Sequence, residues 1–260
     1  MKGWVRVQVG ERVVYGQRDD QGYVQVWSDA PWAEGLPTDV WFSPEHYQLL
    51  APTSPSKIIA VGRNYREHAA EMQAPVPAEP VIFLKPPTST LAPGASIRYP
   101  RISQRVDYEG ELAVVIGQQA RDLTPEQAVS AIWGYTIAND VTARDLQKRD
   151  GQWTRSKGFD TFCPLGPQIV QELGAEARLE TRLNGELRQV AKPLQDMVFP
   201  PPFLVSFVSQ VMTLLPGDVI LTGTPAGIGP MQPGDEVSVT ITGIGTLTNR
   251  VELANEGTFA

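Results

Sequence analysis

The chain has 260 residues, 42% of them hydrophobic and 20% charged. That excludes a disordered polymer and suits one large domain, or a domain of about 200 residues with a small appendage. The formal charge is −7, from 22 basic and 29 acidic residues, and no Lys/Arg run supplies the basic footprint that nucleic acid requires. Cys163 is the single cysteine, which rules out an internal disulfide framework and a cysteine-based zinc site, and points to a reducing, cytoplasmic setting.

No apolar run approaches a membrane span, and no apolar segment follows Met1-Lys2-Gly3-Trp4-Val5-Arg6 as a signal peptide would require. Glycine and proline number 23 each, so many turns and few long helices are expected.

Residues 1 to about 50 alternate apolar and polar. Val5, Val7 and Val9 share one face, and Val24 and Val26 repeat the pattern after the Asp19–Gly22 turn. This predicts a small β unit over 1–52, followed by a linker at Ala51–Ser56 and a larger domain over 53–260. A strand is expected from Lys57 to Val61, then a short helix from about Tyr65 to Met72, with Asn64 as its N-cap and Glu67 in the reciprocal position. Val81–Leu84 reads as a buried strand. Asp107–Ile116 is the next strand. Thr124, Pro125 and Gln127 carry the signature of a capped helix start. Ile132–Ala138 reads as a strand that stops at Asn139-Asp140, and a helix is expected over about Phe203–Leu214. The end of the chain reads as short strands with glycine turns. The fold class is therefore mostly β with a few short helices (α+β). Helices and strands do not alternate regularly, which disfavours a doubly wound or TIM-type sheet.

Two residues apart on a strand, Glu109 and Glu111 leave the same face, and Asp107 shares it. Carboxylates beside a buried run must be paired or must hold a metal. Asp140 lies where an apolar strand ends, and could meet Glu109 and Glu111 from a neighbouring strand. An oxygen-only set of this kind suits magnesium or manganese rather than zinc; alone, each acid also reads as a solvated strand end or a cap. His68 and Glu71, three apart on the short helix, are neighbours, and a histidine held by a carboxylate can act as a general base. His46 has no such partner. Lys157 falls in a polar loop context, and Lys85, Arg144 and Gln147 lie near strand ends. No nucleophile elbow, Walker loop or dinucleotide fingerprint is present.

Several motifs occur in one order: Val61-Gly62-Arg63-Asn64-Tyr65 with His68 and Glu71, then Phe83-Leu84-Lys85-Pro86, Tyr108-Glu109-Gly110-Glu111-Leu112, Asn139–Gln147, Lys157–Asp160 and Gly217-Asp218 to Thr222-Gly223-Thr224-Pro225. Over residues 57–252 this order resembles the fumarylacetoacetate hydrolase family. The resemblance implies a mixed β-roll, a homodimer and a divalent metal (Mg2+ or Mn2+) on Glu109, Glu111 and Asp140. It implies a base dyad of His68 and Glu71, and Lys157 as the cation facing a developing oxyanion. Lys85, Arg144, Gln147 and Thr224 would match substrate or supporting positions. The implied partner is a small 2-oxo or 2-hydroxy-enoic acid, with neither nucleic acid nor membrane. The implied reaction is isomerisation of 2-hydroxyhepta-2,4-diene-1,7-dioate in aromatic-compound catabolism, with acylpyruvate C–C hydrolysis or 2-oxo acid decarboxylation as alternatives. A non-catalytic binder would need neither His68–Glu71 nor Lys157.

Overall fold

A computed structural model describes residues 2–254; Met1 and the last residues of the expected 53–260 domain, 255–260, lie outside the described residues. Among the described residues, twenty strands and six short α-helices follow one another, none of the helices long and apolar enough to cross a membrane. Most strands join one twelve-stranded mixed sheet. A five-stranded sheet and a three-stranded sheet complete the β-rich, α+β architecture.

At the centre of the large sheet lies Gly110–Ile116, buried at every position. It pairs antiparallel with Ile132–Asn139 on one side and with Val219–Leu221 on the other. Val219–Leu221 in turn runs parallel to Ile58–Gly62. A strand covered on both faces reads as a continuous apolar run, and this one does. The period of two then splits Ile58–Gly62 cleanly. Ile59 and Val61 pack with Leu204, Val205 and Val208 of the helix Pro201–Val211, whereas Ile58 and Ala60 pack with Ala138, Cys163 and Leu165 on the opposite face.

The helix Pro125–Ala131 starts as its sequence predicts. The Thr124 hydroxyl accepts from the Gln127 N–H, and the Gln127 side chain accepts from the Thr124 N–H at 2.9 Å. The helix Arg66–Glu71 does not. Its N-cap is Tyr65, with no side-chain cap, and Asn64 is used elsewhere. The Asn64 amide donates to the carbonyls of Phe199 (3.0 Å) and Thr222 (2.7 Å) and accepts from the Phe199 N–H (2.8 Å). Three distant bonds to main chain outcompete one local cap.

Three further expectations change. Ala51–Ser56 is not a loose linker: Ala51, Pro52, Thr53 and Pro55 are buried, and the Thr53 hydroxyl donates to the Gly217 carbonyl at 2.6 Å. The stretch Val81–Leu84 is only half-buried, because it lies on the outermost strand of its sheet; Leu84 is 49% exposed, and only Lys85 at the strand's end is buried. The expected single strand Asp107–Ile116 is broken at Glu109 into Val106–Tyr108, which belongs to the three-stranded sheet, and Gly110–Ile116.

The strands Gly3–Val9, Arg12–Arg18, Val24–Trp27 and Pro37–Phe42 form an antiparallel ribbon. Gly3–Val9 pairs with Arg12–Arg18 along its length and meets the strand Cys163–Val170 with Trp4 opposite Ile169. Val5, Val7 and Val24 form its core.

Candidate active site

The break at Glu109 builds the site. The Glu109 N–H donates to the Asn139 side-chain oxygen (2.9 Å), and the Asp140 N–H donates to the Glu109 carbonyl (2.8 Å). Two strands thus end against each other and turn their carboxylates inward. Ligand oxygens of Glu109, Glu111 and Asp140 lie within 4.8 Å of one another, and all three residues are buried. Asp107 does not join them. It is taken by Arg105 (2.8 Å) and by Arg144 (3.0 Å).

Cations compensate most of this charge. Lys157 donates to Glu109 (2.8 Å) and Asp140 (2.6 Å), Lys85 donates to the other Asp140 oxygen (2.6 Å), and Arg144 pairs with Glu109. Lys157 ends a one-turn helix, Thr154–Lys157, and is buried rather than lying in a polar loop. Its ammonium stands over the Phe83 ring at 5.1 Å. Burial works against this ammonium, but Asp140 and Glu109 outweigh it, so its pKa is raised. Burial likewise opposes ionisation of Glu109, and Lys157 and Arg144 hold it below the usual carboxylate range.

Glu111 is different. Its Oε2 accepts from the Gly223 N–H at 2.7 Å. Burial, with Asp140 and Glu109 close by, pushes its pKa well above the usual value. Gly223 sits at φ 96°, and a Cβ there would fall 2.8 Å from Asn64 Cβ, so glycine is required for the turn that aims this N–H.

A cavity of about 290 Å³ opens over the acids. Arg144, Gln147, Lys157 and Thr224 line it, together with His68 and an apolar stretch of Met72, Phe83 and Trp153. Lys85 is not among its lining residues; it supports Asp140 and the Lys157 carbonyl from behind. Arg144 also donates to Gln147 (2.7 Å), and the Thr224 hydroxyl donates to the Gly110 carbonyl (2.9 Å). His68 Nδ1 lies 3.0 Å from Glu71 Oε2, and Glu71 Oε1 accepts from the Gly227 N–H at 3.0 Å. A neutral imidazole that gives its Nδ1 proton to a carboxylate keeps a lone pair on Nε2.

A sequence profile described as fumarylacetoacetate (FAA) hydrolase C-terminal matches residues 57–252, most of the chain. The chain belongs to the fumarylacetoacetate hydrolase family. A second profile, Rv2993c-like N-terminal, matches residues 1–52. Protein Rv2993c of Mycobacterium tuberculosis is 54% identical over 208 residues, covering 78% of this chain and 78% of that protein. The oxaloacetate tautomerase YisK of Bacillus subtilis is 42% identical over 226 residues, covering 81% of this chain and 75% of its own. Among solved structures, a 2-hydroxyhepta-2,4-diene-1,7-dioate isomerase from Mycobacterium marinum superposes with a TM-score of 0.90 at 42% identity, covering 98% of this chain and 100% of that one. The chain is thus an enzyme-family member whose relatives include an isomerase and a tautomerase.

The family's metal chemistry fits the residues present. The donor set is oxygen only, which suits a hard cation. Burial and then the acids around it push Glu111 toward neutrality, and among the described residues no cation is paired to it as Lys157 and Arg144 are paired to Glu109. A divalent ion on the three carboxylates would supply that missing charge.

Gln189 supports the site without a sequence signal. Its side chain accepts from the Gly110 N–H (3.0 Å) and donates to the Thr224 hydroxyl (2.8 Å) and the Pro225 carbonyl (2.8 Å).

Proposed function

We propose that this protein is a divalent-metal-dependent keto–enol isomerase of 2-oxo and 2-hydroxy-enoic dicarboxylic acids, with 2-hydroxyhepta-2,4-diene-1,7-dioate as its substrate and Mg2+ or Mn2+ as its metal. The observation that carries the reading is that one cavity contains both the carboxylates Glu109, Glu111 and Asp140 and the His68 ring oriented by Glu71. The isomerase and tautomerase among its relatives support it, since both reactions move a proton between carbon and an enol oxygen.

Held by Glu109, Glu111 and Asp140, a divalent cation would supply Lewis acidity toward the 2-oxo acid head of the substrate. The chain does the rest. Lys157 and Arg144 keep Glu109 ionised, and Lys157 ties Glu109 to Asp140. Lys157 also presents positive charge where the oxyanion of the enolate develops, an effect worth ~2.7–4 kcal/mol for a well-placed donor. Glu71, pinned by Gly227, holds the imidazole so that Nε2 can take the proton of the substrate's 2-hydroxyl as the O–H bond breaks and its electron pair forms the 2-oxo double bond. The same nitrogen returns the proton to the far carbon of the diene, where the pair of the 4,5-double bond forms the new C–H bond while the 2,3-pair becomes the 3,4-double bond. Met72, Phe83 and Trp153 shield this transfer from water.

A panel of 2-oxo acids assayed with magnesium and manganese tests the reading. Isomerisation of the dienedioate is expected. Cleavage of acylpyruvates or loss of carbon dioxide without isomerisation would replace it with hydrolase or decarboxylase activity. His68→Gln is expected to lower the rate by about 10²–10⁴-fold while leaving metal affinity intact by calorimetry. The resemblance that supports the reaction also supports a homodimer, which light scattering would reveal.

A further inference from the structure

Four cationic residues line the cavity: Arg63, Arg144, Lys148 and Lys157. Two of them are committed to internal partners. Arg144 is divided among Asp107, Glu109 and Gln147, and Lys157 bridges Glu109 and Asp140. Lys148 is exposed at the end of the helix Arg144–Asp150, where its charge is screened by water. Arg63 differs from all three. Its Nε is buried with no hydrogen-bond partner, and its backbone is held in the left-handed region at φ 57°. A non-glycine residue rarely adopts that conformation, and strain of this kind concentrates at binding sites.

A buried guanidinium N–H without an acceptor is costly unless a ligand supplies one. The guanidinium fork matches a carboxylate in two-bond geometry, which a lysine ammonium cannot reproduce. Gly62 precedes Arg63, and a side chain at Gly62 would strike the Trp153 ring at 2.8 Å. The turn therefore packs against the apolar wall that the carbon skeleton of a substrate would follow.

We propose that Arg63 determines specificity in this cavity by receiving the distal carboxylate of a dicarboxylic substrate, while the 2-oxo acid head lies at the Glu109–Glu111–Asp140 end. The inference rests on the enzymatic reading above and extends it from the reacting head to the tail. Arg144 and Lys157 stay with the head because their charge is already spent there. Arg63 selects length and charge at the other end.

Calorimetry with magnesium present tests this with two probes. Oxalate copies the chelating head and has no tail; 2-oxoglutarate carries a 2-oxo acid head and a second, distant carboxylate. Arg63→Asn is the principal variant, because asparagine tolerates the left-handed backbone. It is expected to weaken 2-oxoglutarate binding by about 10- to 100-fold and to change oxalate binding less than about twofold. Arg63→Lys, which keeps the charge and loses the fork, is expected to fall between the two, and this graded loss does not depend on how well the first variant folds. Lys148→Ala is expected to leave both affinities near those of the parent. Equal weakening of both probes, or of neither, would overturn the proposal. If the parent protein bound oxalate but not 2-oxoglutarate, Arg63 would lose its role and the reading of the head would survive. If it bound neither, the enzymatic reading would fall and this inference with it.

Discussion

Two buried carboxylates, Asp218 just before the strand Val219–Leu221 and Glu111 on the neighbouring strand Gly110–Ile116, are treated in opposite ways. Asp218 Oδ1 accepts from the Ser56 N–H (3.0 Å), the Ser56 hydroxyl (2.7 Å) and the Lys57 N–H (3.1 Å); Oδ2 accepts from the Leu215 N–H (2.8 Å) and pairs with the Lys57 ammonium. Glu111 accepts one main-chain N–H and faces two other acids. Burial alone therefore does not mark a functional acid. A carboxylate whose lone pairs are filled by the chain holds two segments together; one left short of positive charge is reserved for something the chain does not contain.

The largest effect should come from emptying the filled site. Asp218→Ala removes the acceptor for three main-chain N–H groups and the partner of Lys57, and should cost about 3–5 kcal/mol in urea unfolding. A loss near zero would dissolve the contrast.

Glu111→Gln should behave in the reverse manner. The amide oxygen can still accept from Gly223, so the metal-free variant should be at least as stable as the parent, while affinity for magnesium or manganese falls by more than the ~10–100-fold that loss of a supporting group costs. The pH dependence has a definite sign. A carboxyl whose folded pKa is raised binds more protons folded than unfolded, so its penalty is absent below the unfolded value of about 4.3 and grows as pH rises through the folded value. Without metal, the stability advantage of Glu111→Gln should be greatest above neutrality and shrink toward pH 4; saturating metal should abolish or reverse it. A variant that unfolds more readily than the parent at pH 8 in a chelator would contradict this.

The smallest effect sharpens the comparison from the other side. Ser56→Ala removes one of several donors to Asp218, and should cost only about 1 kcal/mol, measurable as a shift of the urea midpoint with unchanged slope.

What the sequence made legible follows the range of the forces involved. The Thr124–Gln127 cap, the alternation of Val5 and Val7 and the end of the strand at Asn139 depend on neighbours a few residues away, and each appears in the structure as expected. The shared face of Glu109 and Glu111 was readable from their spacing, but for Asp140 a cap read as well as a meeting with them until the order of motifs matched a family. Asn64, Gln189 and the Ala51–Ser56 segment escaped. Their bonds reach across 135 residues to Phe199, 79 to Gly110 and 164 to Gly217 respectively, and no local pattern announces such a partner. Lys85 was noticed for its charge, but its place behind Asp140 rather than in the cavity depends on how distant strands pack.

The ribbon of the first fifty residues has a role that its modest core does not suggest. By setting Trp4 against Ile169 it shelters the Ile169 end of Cys163–Val170, whose other end pairs with Thr90–Leu91. Stripped of that cover, the backbone amides and carbonyls there would stand open to any passing strand, an invitation to aggregation. The attached module thus works as a guardrail, keeping the catalytic body's own edge from recruiting strangers.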